Sequence, residues 1–363
     1  MKDTVVFLCS SKEITRERRG YFKAFTKRVN VLCIPEADGG TYEKLESLIP
    51  DDCNPILIIH PDSFPRRLPH GLVTTSVPTA CFNIDTYESL SGRIDFSMLF
   101  DYAFVFHPGY DSRFQAGGHP RSICIAHAVE ADLFTAEDLP RIYEVGWVGR
   151  LDGKKYSIRR RSIQKLNQLF KMNDINRHYS PEEMSMVYRQ SQIVVNLSRD
   201  DFLQDANLRC FEAMASGALL VTPSPTELSE LGFVEGIHYV AYRSDGELES
   251  VVRFHIAHEA ERKAIANAGR ELVLQKHTYD YRAQTILDIL AHDNGQHFAP
   301  ARQWDAARVS QIYVRYFAGS LLIDPALREL KEVRKYSARM ALNPLLWVLK
   351  AFLVHLKMLL LAL

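Results

Sequence analysis

Short apolar runs rich in β-forming residues recur through the first third of the chain: VVFLC (5–9), VNVLCI (29–34), PILIIH (55–60), TACFNI (79–84), YAFVFH (102–107) and SICIAHA (122–128). The stretches between them, such as Lys12–Lys27 and Thr41–Leu48, have helical composition. Strands alternating with helices in this way require a mostly parallel, doubly wound sheet. With 363 residues the chain is long enough for two such domains, each burying its own core.

The alternation resumes after YEVGWVG (143–149) with helical RRSIQKLNQLF. Ser180, Pro181 and Glu183 then occupy the N-cap, N1 and N3 positions of a capping box, which predicts a helix over 181–190. QIVVNLS (192–198), a helix at 207–216 opened near Asp205, and ALLVT (218–222) follow, with Gly217 placed for a left-handed helix end. Beyond HYVAY (238–242), two helical stretches are expected at about 246–276 and 279–291.

Ligands of such sheets bind beyond the carboxyl ends of the strands, where Asp200–Asn207 and Pro223–Leu228 fall. Arg209 and Glu212, three apart, share one face of the 207–216 helix. A helix N-terminus with an added guanidinium attracts phosphate, and a carboxylate one turn on can accept hydrogen bonds from sugar hydroxyls. The alternative is a surface ion pair worth about 0.2–0.5 kcal/mol.

NLRCFEAMASGALLVT (207–222) resembles the donor-binding helix of the group 1, GT-B-fold glycosyltransferases, especially their CgeB-like, spore-maturation branch. That family commonly shows Glu, seven residues, then Glu-Ala-Met-Ala-x-Gly. Here Glu212 takes the second acidic position and Gln204 stands at the first. NIDTYESLSGRIDFSMLFDYAFVFHPG (83–109), ICIAHAVEADLF (123–134) and VGWVGRLDGKKYSIRRRSI (145–163) are similar to the family's acceptor-domain, interdomain and donor-domain-opening segments. The resemblance implies two Rossmann-like doubly wound domains: an acceptor-side domain over 1–135 and a nucleotide-sugar donor domain over 136–291, with the 279–291 helix crossing back to the first. A helical extension over 292–363 completes the expected organisation.

It further implies a transferase that moves a sugar from a nucleotide-diphosphate sugar to an acceptor hydroxyl, with retention of configuration. Arg150 and Lys155 take the diphosphate-binding positions, with Lys154 and Arg159 as alternatives. Gln204, Asn207, Arg209, Glu212 and Thr226 complete the donor set; Glu212 receives the ribose hydroxyls, and Ser224 and Pro225 flank the same loop. Asp85, at the end of an apolar strand, resembles the family's acceptor-side Asp and could orient or deprotonate the acceptor hydroxyl. Its alternative is a helix cap near Thr86. Catalysis is therefore assigned to Asp85 and Glu212. His60, His107 and His127 end other strands without a secure match.

No Asp-x-Asp motif suggests a metal, so no metal or cofactor is expected beyond the donor substrate. CSSKEITRERRG lacks GxGxxG, which argues against a nicotinamide enzyme. Lys plus Arg and Asp plus Glu balance at 44 each, leaving no global field for nucleic acid. The six cysteines have no metal spacing and read as reduced thiols in a cytoplasmic protein. A nucleotide-sugar epimerase of the same fold and an idle sugar-binding scaffold remain alternative readings.

The tail adds a membrane expectation. Leu327–Arg339 carries five basic residues against two Glu, and PLLWVLKAFLVHLKMLLLAL follows. Lys350 and Lys357 would each cost about 2.5–3.5 kcal/mol inside a bilayer. They share a stripe, so the helix suits the inner membrane surface, near a lipid-linked or surface-glycan acceptor.

Overall fold

The computed structural model describes residues 2–34, 44–62, 68–136, 139–200 and 202–362. They form two compact units: Met1–Ile125 together with Ile289–Leu363, and Ala126–Asp288. Residues 41–43 of the helical stretch expected at 41–48 lie outside the described residues.

The first unit opens with β1 (Asp3–Phe7), α1 (Glu17–Thr26), β2 (Asn30–Cys33), α2 (Leu45–Leu48), β3 (Asn54–His60) and β4 (Thr79–Asn83). It continues through α3 (Leu90–Ser97), β5 (Tyr102–Val105), α4 (Tyr110–Ala116) and β6 (Ser122–Cys124). All pairings are parallel, in the order β2-β1-β3-β4-β5-β6. Val5, Leu57, Ala80 and Phe104 are wholly buried on β1, β3, β4 and β5, as inner strands of a sheet covered on both faces must be.

The second unit contains β7 (Tyr143–Gly146), α5 (Ser157–Leu169), α6 (Pro181–Arg189), β8 (Ser191–Val195), α7 (Leu208–Ala215), β9 (Leu219–Thr222), α8 (Thr226–Glu230) and β10 (Val240–Ala241). Its sheet is parallel, in the order β10-β9-β8-β7. Ile193, Val195, Leu219 and Val221 pack towards α5 and α9 (Asp245–Ala257), while Val194 and Leu220 pack towards α6, α7 and α10 (Glu259–Lys276). Alternate residues thus enter two separate cores, which is why the strands read as unbroken apolar runs.

Several local signals act as expected. Ser180 Oγ accepts the Glu183 amide at 3.2 Å, and Glu183 Oε2 accepts the Ser180 amide at 2.9 Å. Gly217 has φ +69°, and a Cβ there would meet Ala136 and Arg141 at 3.1–3.2 Å. Arg141 donates to the carbonyls of Tyr188, Ser191, Ser216 and Gly217, joining the ends of α6 and α7 to the start of β8.

Other boundaries differ. The N-cap of α7 is Asn207, not Asp205, because the Asn207 side chain reaches the Arg209 amide at 3.2 Å. The helix after Asp85 begins at Leu90, with Ser89 rather than Asp85 at its cap. The expected 246–276 helix breaks at His258, which leaves helical φ/ψ between α9 and α10.

The chain returns to the first unit within α11 (Tyr279–Asp293) and ends with α12 (Ala306–Gly319), α13 (Ile323–Tyr336) and α14 (Leu342–Ala362). The segment expected as a separate extension groups with the first sheet, and Asp101 explains why. This fully buried carboxylate accepts the Thr79 amide at 2.9 Å and its hydroxyl at 3.0 Å, and the Phe298 and Ala299 amides at 2.9 and 3.1 Å. His297 Nδ1 and Arg302 Nε lie 3.1 and 3.3 Å away. Tyr102 and Arg121 hold Asp293 from the same sheet, and Tyr313 Oη donates to the Pro69 carbonyl.

Burial alone would raise the Asp101 pKa, but the Thr79 amide, His297, the Ala299 amide and Arg302 together outweigh it and leave it below the usual carboxylate value. Its stabilisation is therefore complete above the unfolded-state pKa of about 3.9 and is lost as pH falls through the lower folded-state value. Asp101→Ala should destabilise the protein at pH 7 by about 3–5 kcal/mol. The gap to wild type in urea unfolding should narrow below pH 4. A pH-independent gap would refute the charged assignment.

Candidate functional site

In the second unit the chain reverses direction across the sheet at β7. Val145 bridges Met172 on one side and pairs with Ile193 of β8 on the other. The crevice beyond the carboxyl ends of β7 and β8 is where such sheets take ligands.

Arg159, in the first turn of α5, spans that point. Its Nη1 donates to the Arg150 carbonyl at 3.2 Å and its Nη2 to the Leu197 carbonyl at 2.7 Å. The guanidinium lies 4.4 Å from the centroid of the Tyr156 ring. The side chain is buried, yet Nε has no acceptor among the described residues. Burial first, and then the Arg209 charge, draw the Arg159 pKa down to about 10, so it remains a cation at neutral pH.

Arg209, in the first turn of α7, donates from Nε to Asn196 Oδ1 at 3.2 Å. Asn196 is fully buried just past β8, and its Nδ2 reaches Cys210 Sγ and Thr222 Oγ1, both at 3.2 Å. Three elements thus fix one amide, and that amide aims one arginine. Asn207 Nδ2 is a second buried donor without an acceptor among the described residues. Two mutually repelling guanidiniums, with unused donors beside a helix N-terminus, form a site for a polyanion. The α5 N-terminus has its own anion: Asp200 Oδ2 accepts the Ser157 amide and hydroxyl and the Ile158 amide at 2.8–3.2 Å.

The remaining sequence candidates are placed differently. Glu212 is buried on α7. Gln204 and Thr226 have exposed side chains, and the Gln204 carbonyl accepts the Glu227 amide at 3.4 Å. Arg150 is exposed and pairs with Asp152 at 3.5 Å. Lys154 and Lys155 are exposed in a 3₁₀ turn, where the Lys155 carbonyl accepts the Asp200 amide at 3.0 Å. The basic run is dispersed: Arg160 donates to the Leu151 carbonyl and Arg161 pairs with Asp245, leaving Arg159 alone buried.

The sequence reading passed over Asn196 and Glu227. The amide in QIVVNLS was its own signal, a polar residue inside an apolar run. Glu227 is buried, and its Oε2 accepts the Ala206 amide at 2.8 Å, tying α8 to the approach to α7. His127 is buried in this unit; His277 is buried too, and desolvation, aided by Arg282, lowers its pKa to about 3, so it is neutral.

In the first unit, Asp85 is exposed and accepts a hydrogen bond from Tyr87 Oη at 3.3 Å. Glu17, at the start of α1, has a pKa raised by burial, to which the Asp85 charge adds. His60 is buried, with Nε2 at 2.7 Å from Tyr316 Oη. His107 is buried and packs edge-on against Tyr87 and Tyr110.

Residues 144–288 match a family model described as glycosyl transferase-like. The match covers most of the second unit. No curated protein sequence matches the chain. Among solved structures, the Anabaena protein HepE in complex with UDP and glucose is similar at TM-score 0.54 and 13% identity, covering 80% of this chain and 99% of its own. An alpha-glucosyltransferase in complex with UDP-glucose and DNA containing an abasic site gives 0.55 and 12%, covering 80% and 99%. Sucrose-phosphate synthase from Thermosynechococcus elongatus gives 0.52 and 11%, covering 80% and 98%. These likenesses establish the fold: two parallel α/β units, as in GT-B glycosyltransferases.

Calorimetric titration with inorganic pyrophosphate tests the arginine pair. Arg209→Ala should weaken binding by about 1.5–3 kcal/mol, since it removes a charged hydrogen-bonding group. Asn196→Ala, which keeps the charge but frees the side chain, should weaken it less. Equal affinity in wild type and Arg209→Ala would dismiss the site.

Proposed function

We propose that the protein transfers a sugar from a nucleoside diphosphate sugar held by the second unit to an acceptor hydroxyl held by the first. The observation that carries this reading is the buried Arg159 beside the half-buried Arg209 at the strand reversal of a domain that matches a glycosyl transferase-like family. Fixed cations aimed at a departing diphosphate stabilise charge where it develops, which is the largest single contribution in many enzymes. Arg159 takes the main phosphate role, with Arg150 and Lys155 at the rim. Glu212 on α7 receives the ribose hydroxyls, with Asn207, Gln204 and Thr226 around the nucleotide sugar. Asp85, beside Glu17 with its raised pKa, serves the acceptor hydroxyl.

The complexes of HepE with UDP and glucose and of the alpha-glucosyltransferase with UDP-glucose favour a uridine donor. Retention of configuration and membership of the CgeB-like branch follow the resemblance of 145–163 and 207–222. Two guanidiniums can neutralise the leaving group without a divalent cation, so the reaction is proposed to be metal-independent. No helix among the described residues is long and apolar enough to cross a membrane. Peripheral attachment to the inner membrane surface through α14 is supported by exposed Leu346, Leu349, Phe352, Leu353 and Met358, next to five exposed cations on and after α13.

A thermal-shift and saturation-transfer screen against UDP-, GDP-, ADP- and dTDP-sugars tests the donor site. One sugar nucleotide should bind and lose about tenfold or more in affinity in both Arg159→Met and Glu212→Ala. Wild-type binding to none of them would remove the reading. Turnover of the donor that binds should persist in excess EDTA, and its collapse there would overturn metal independence.

A further inference from the structure

The first unit contains a cavity of about 700 Å³ beyond the carboxyl ends of β3 and β4, bounded by α3, α12 and α14. That volume lies within the roughly 300–1,000 Å³ range of small-molecule sites. One end is polar. Asp62 Oδ2 holds Arg93 Nη1 at 2.8 Å and the Ile84 amide at 3.3 Å. His60 Nδ1 accepts the Asp62 amide at 3.4 Å, which leaves Nε2–H for Tyr316. Arg315 is paired with Asp95 and lies 5.6 Å from the centroid of the Trp347 ring. Lys350 is exposed at the rim and has no ion-pair partner among the described residues. Arg93 and Arg315 are thus each matched by a carboxylate and Glu88 also lines the chamber, so Lys350 is the lining cation with no ion-pair partner among the described residues.

The adjoining wall is apolar. Phe96 stacks on Tyr316 at 4.5 Å, and Trp347, Ala351 and Val354 of α14 close the side. Among the described side chains of that helix only Pro344, Val348 and Ala351 are buried, and every residue from Phe352 to Met358 is exposed. Val354 both lines the cavity and is exposed, so the apolar wall continues outward along the bare end of α14. A chamber with cations at the head and an apolar track leading out has the chemistry of a phosphorylated lipid.

We propose that this cavity is the acceptor site and that it takes a single-chain lipid phosphate, with the phosphoryl head among Arg93, Arg315 and Lys350 and the chain along Trp347, Ala351 and Val354. A phosphoryl oxygen then stands for the acceptor hydroxyl, bonding to the anomeric carbon of the sugar as that carbon's bond to the diphosphate breaks and the nucleoside diphosphate leaves. This rests on the glycosyltransferase reading and names its acceptor class. The head meets Lys350, the cation left without an ion-pair partner among the described residues, beside the donors of Arg93 and Arg315. The chain covers apolar surface on α14 that no part of the described structure covers.

The test uses the full chain and tryptophan emission, with dodecyl phosphate below its micelle concentration, dodecyl maltoside as the neutral-head control and inorganic phosphate as the chainless one. Dodecyl phosphate should bind saturably, and the two controls at least about tenfold more weakly. Ala351→Phe, which fills the chamber, should abolish binding. Lys350→Glu, a surface change that leaves folding intact, should weaken it about tenfold. Leu353→Glu, on the exposed end of α14, should reduce pelleting with phosphatidylglycerol vesicles and leave dodecyl phosphate binding in place. Equal binding of the maltoside, or dodecyl phosphate affinity unmoved by Lys350→Glu, would overturn the proposal. So would loss of that affinity in Leu353→Glu, which would mean that the lipid merely coats the helix tip. Nucleotide-sugar binding on the same samples separates the two readings. Its presence without dodecyl phosphate binding refutes only the acceptor site, whereas its absence from wild type refutes the transferase.

Discussion

The buried carboxylate of Asp101 organises the first unit. A charge with no solvent contact is tolerated only when it is fully hydrogen-bonded and paired. Thr79 supplies two of its donors from the sheet; His297, Phe298, Ala299 and Arg302 supply the rest from far along the chain. Satisfying that one group therefore fixes where the C-terminal helices begin. The placement of α12 against α3 and of α14 against α12 follows, and with it the cavity they bound.

The two units use one device twice. In each, the helix after the leading strand carries an arginine in its first turn that donates to carbonyls at strand exits. Arg18 donates from Nε to Pro61 at 2.9 Å and also bonds the Asp62 carbonyl, while Arg159 reaches Arg150 and Leu197. These loops flank the point where the strand order turns back, β1 against β3 in one sheet and β7 against β8 in the other. An irregular loop there has carbonyls with no ladder partner, and a guanidinium can satisfy two at once. In the second unit the same side chain keeps Nε in reserve.

The alternation of strands and helices was legible because inner parallel strands must be apolar on both faces. The Ser180 cap and Gly217 were legible because each is a local backbone requirement. Asp101 was not: four of its partners lie almost two hundred residues away, and one Asp before an apolar strand carries no sign of them. At the donor site, sequence reasoning favoured Arg150 as the first cation after a strand. Arg150 is exposed and lightly paired, whereas Arg159 is buried, a distinction set by tertiary packing. Asn196 escaped notice because its three partners, Arg209 and Cys210 of α7 and Thr222 of β9, converge on it only once the sheet is assembled. The helix break at His258 fell inside a stretch of uniformly helical composition.

The first unit is discontinuous, 1–125 and 289–363, with the second inserted between its parts. On a ribosome, the six-stranded sheet emerges complete while α12, α13 and α14 are still unmade. The contiguous second unit, although later in sequence, can finish folding before the first. Until residues 297–317 appear, Asp101 lacks four of its partners, and the aromatic surface of Phe96 and Phe100 lacks Tyr316 and Phe317. Exposure to aggregation and demand for chaperones therefore persist until those helices are made, in strands synthesised well before them.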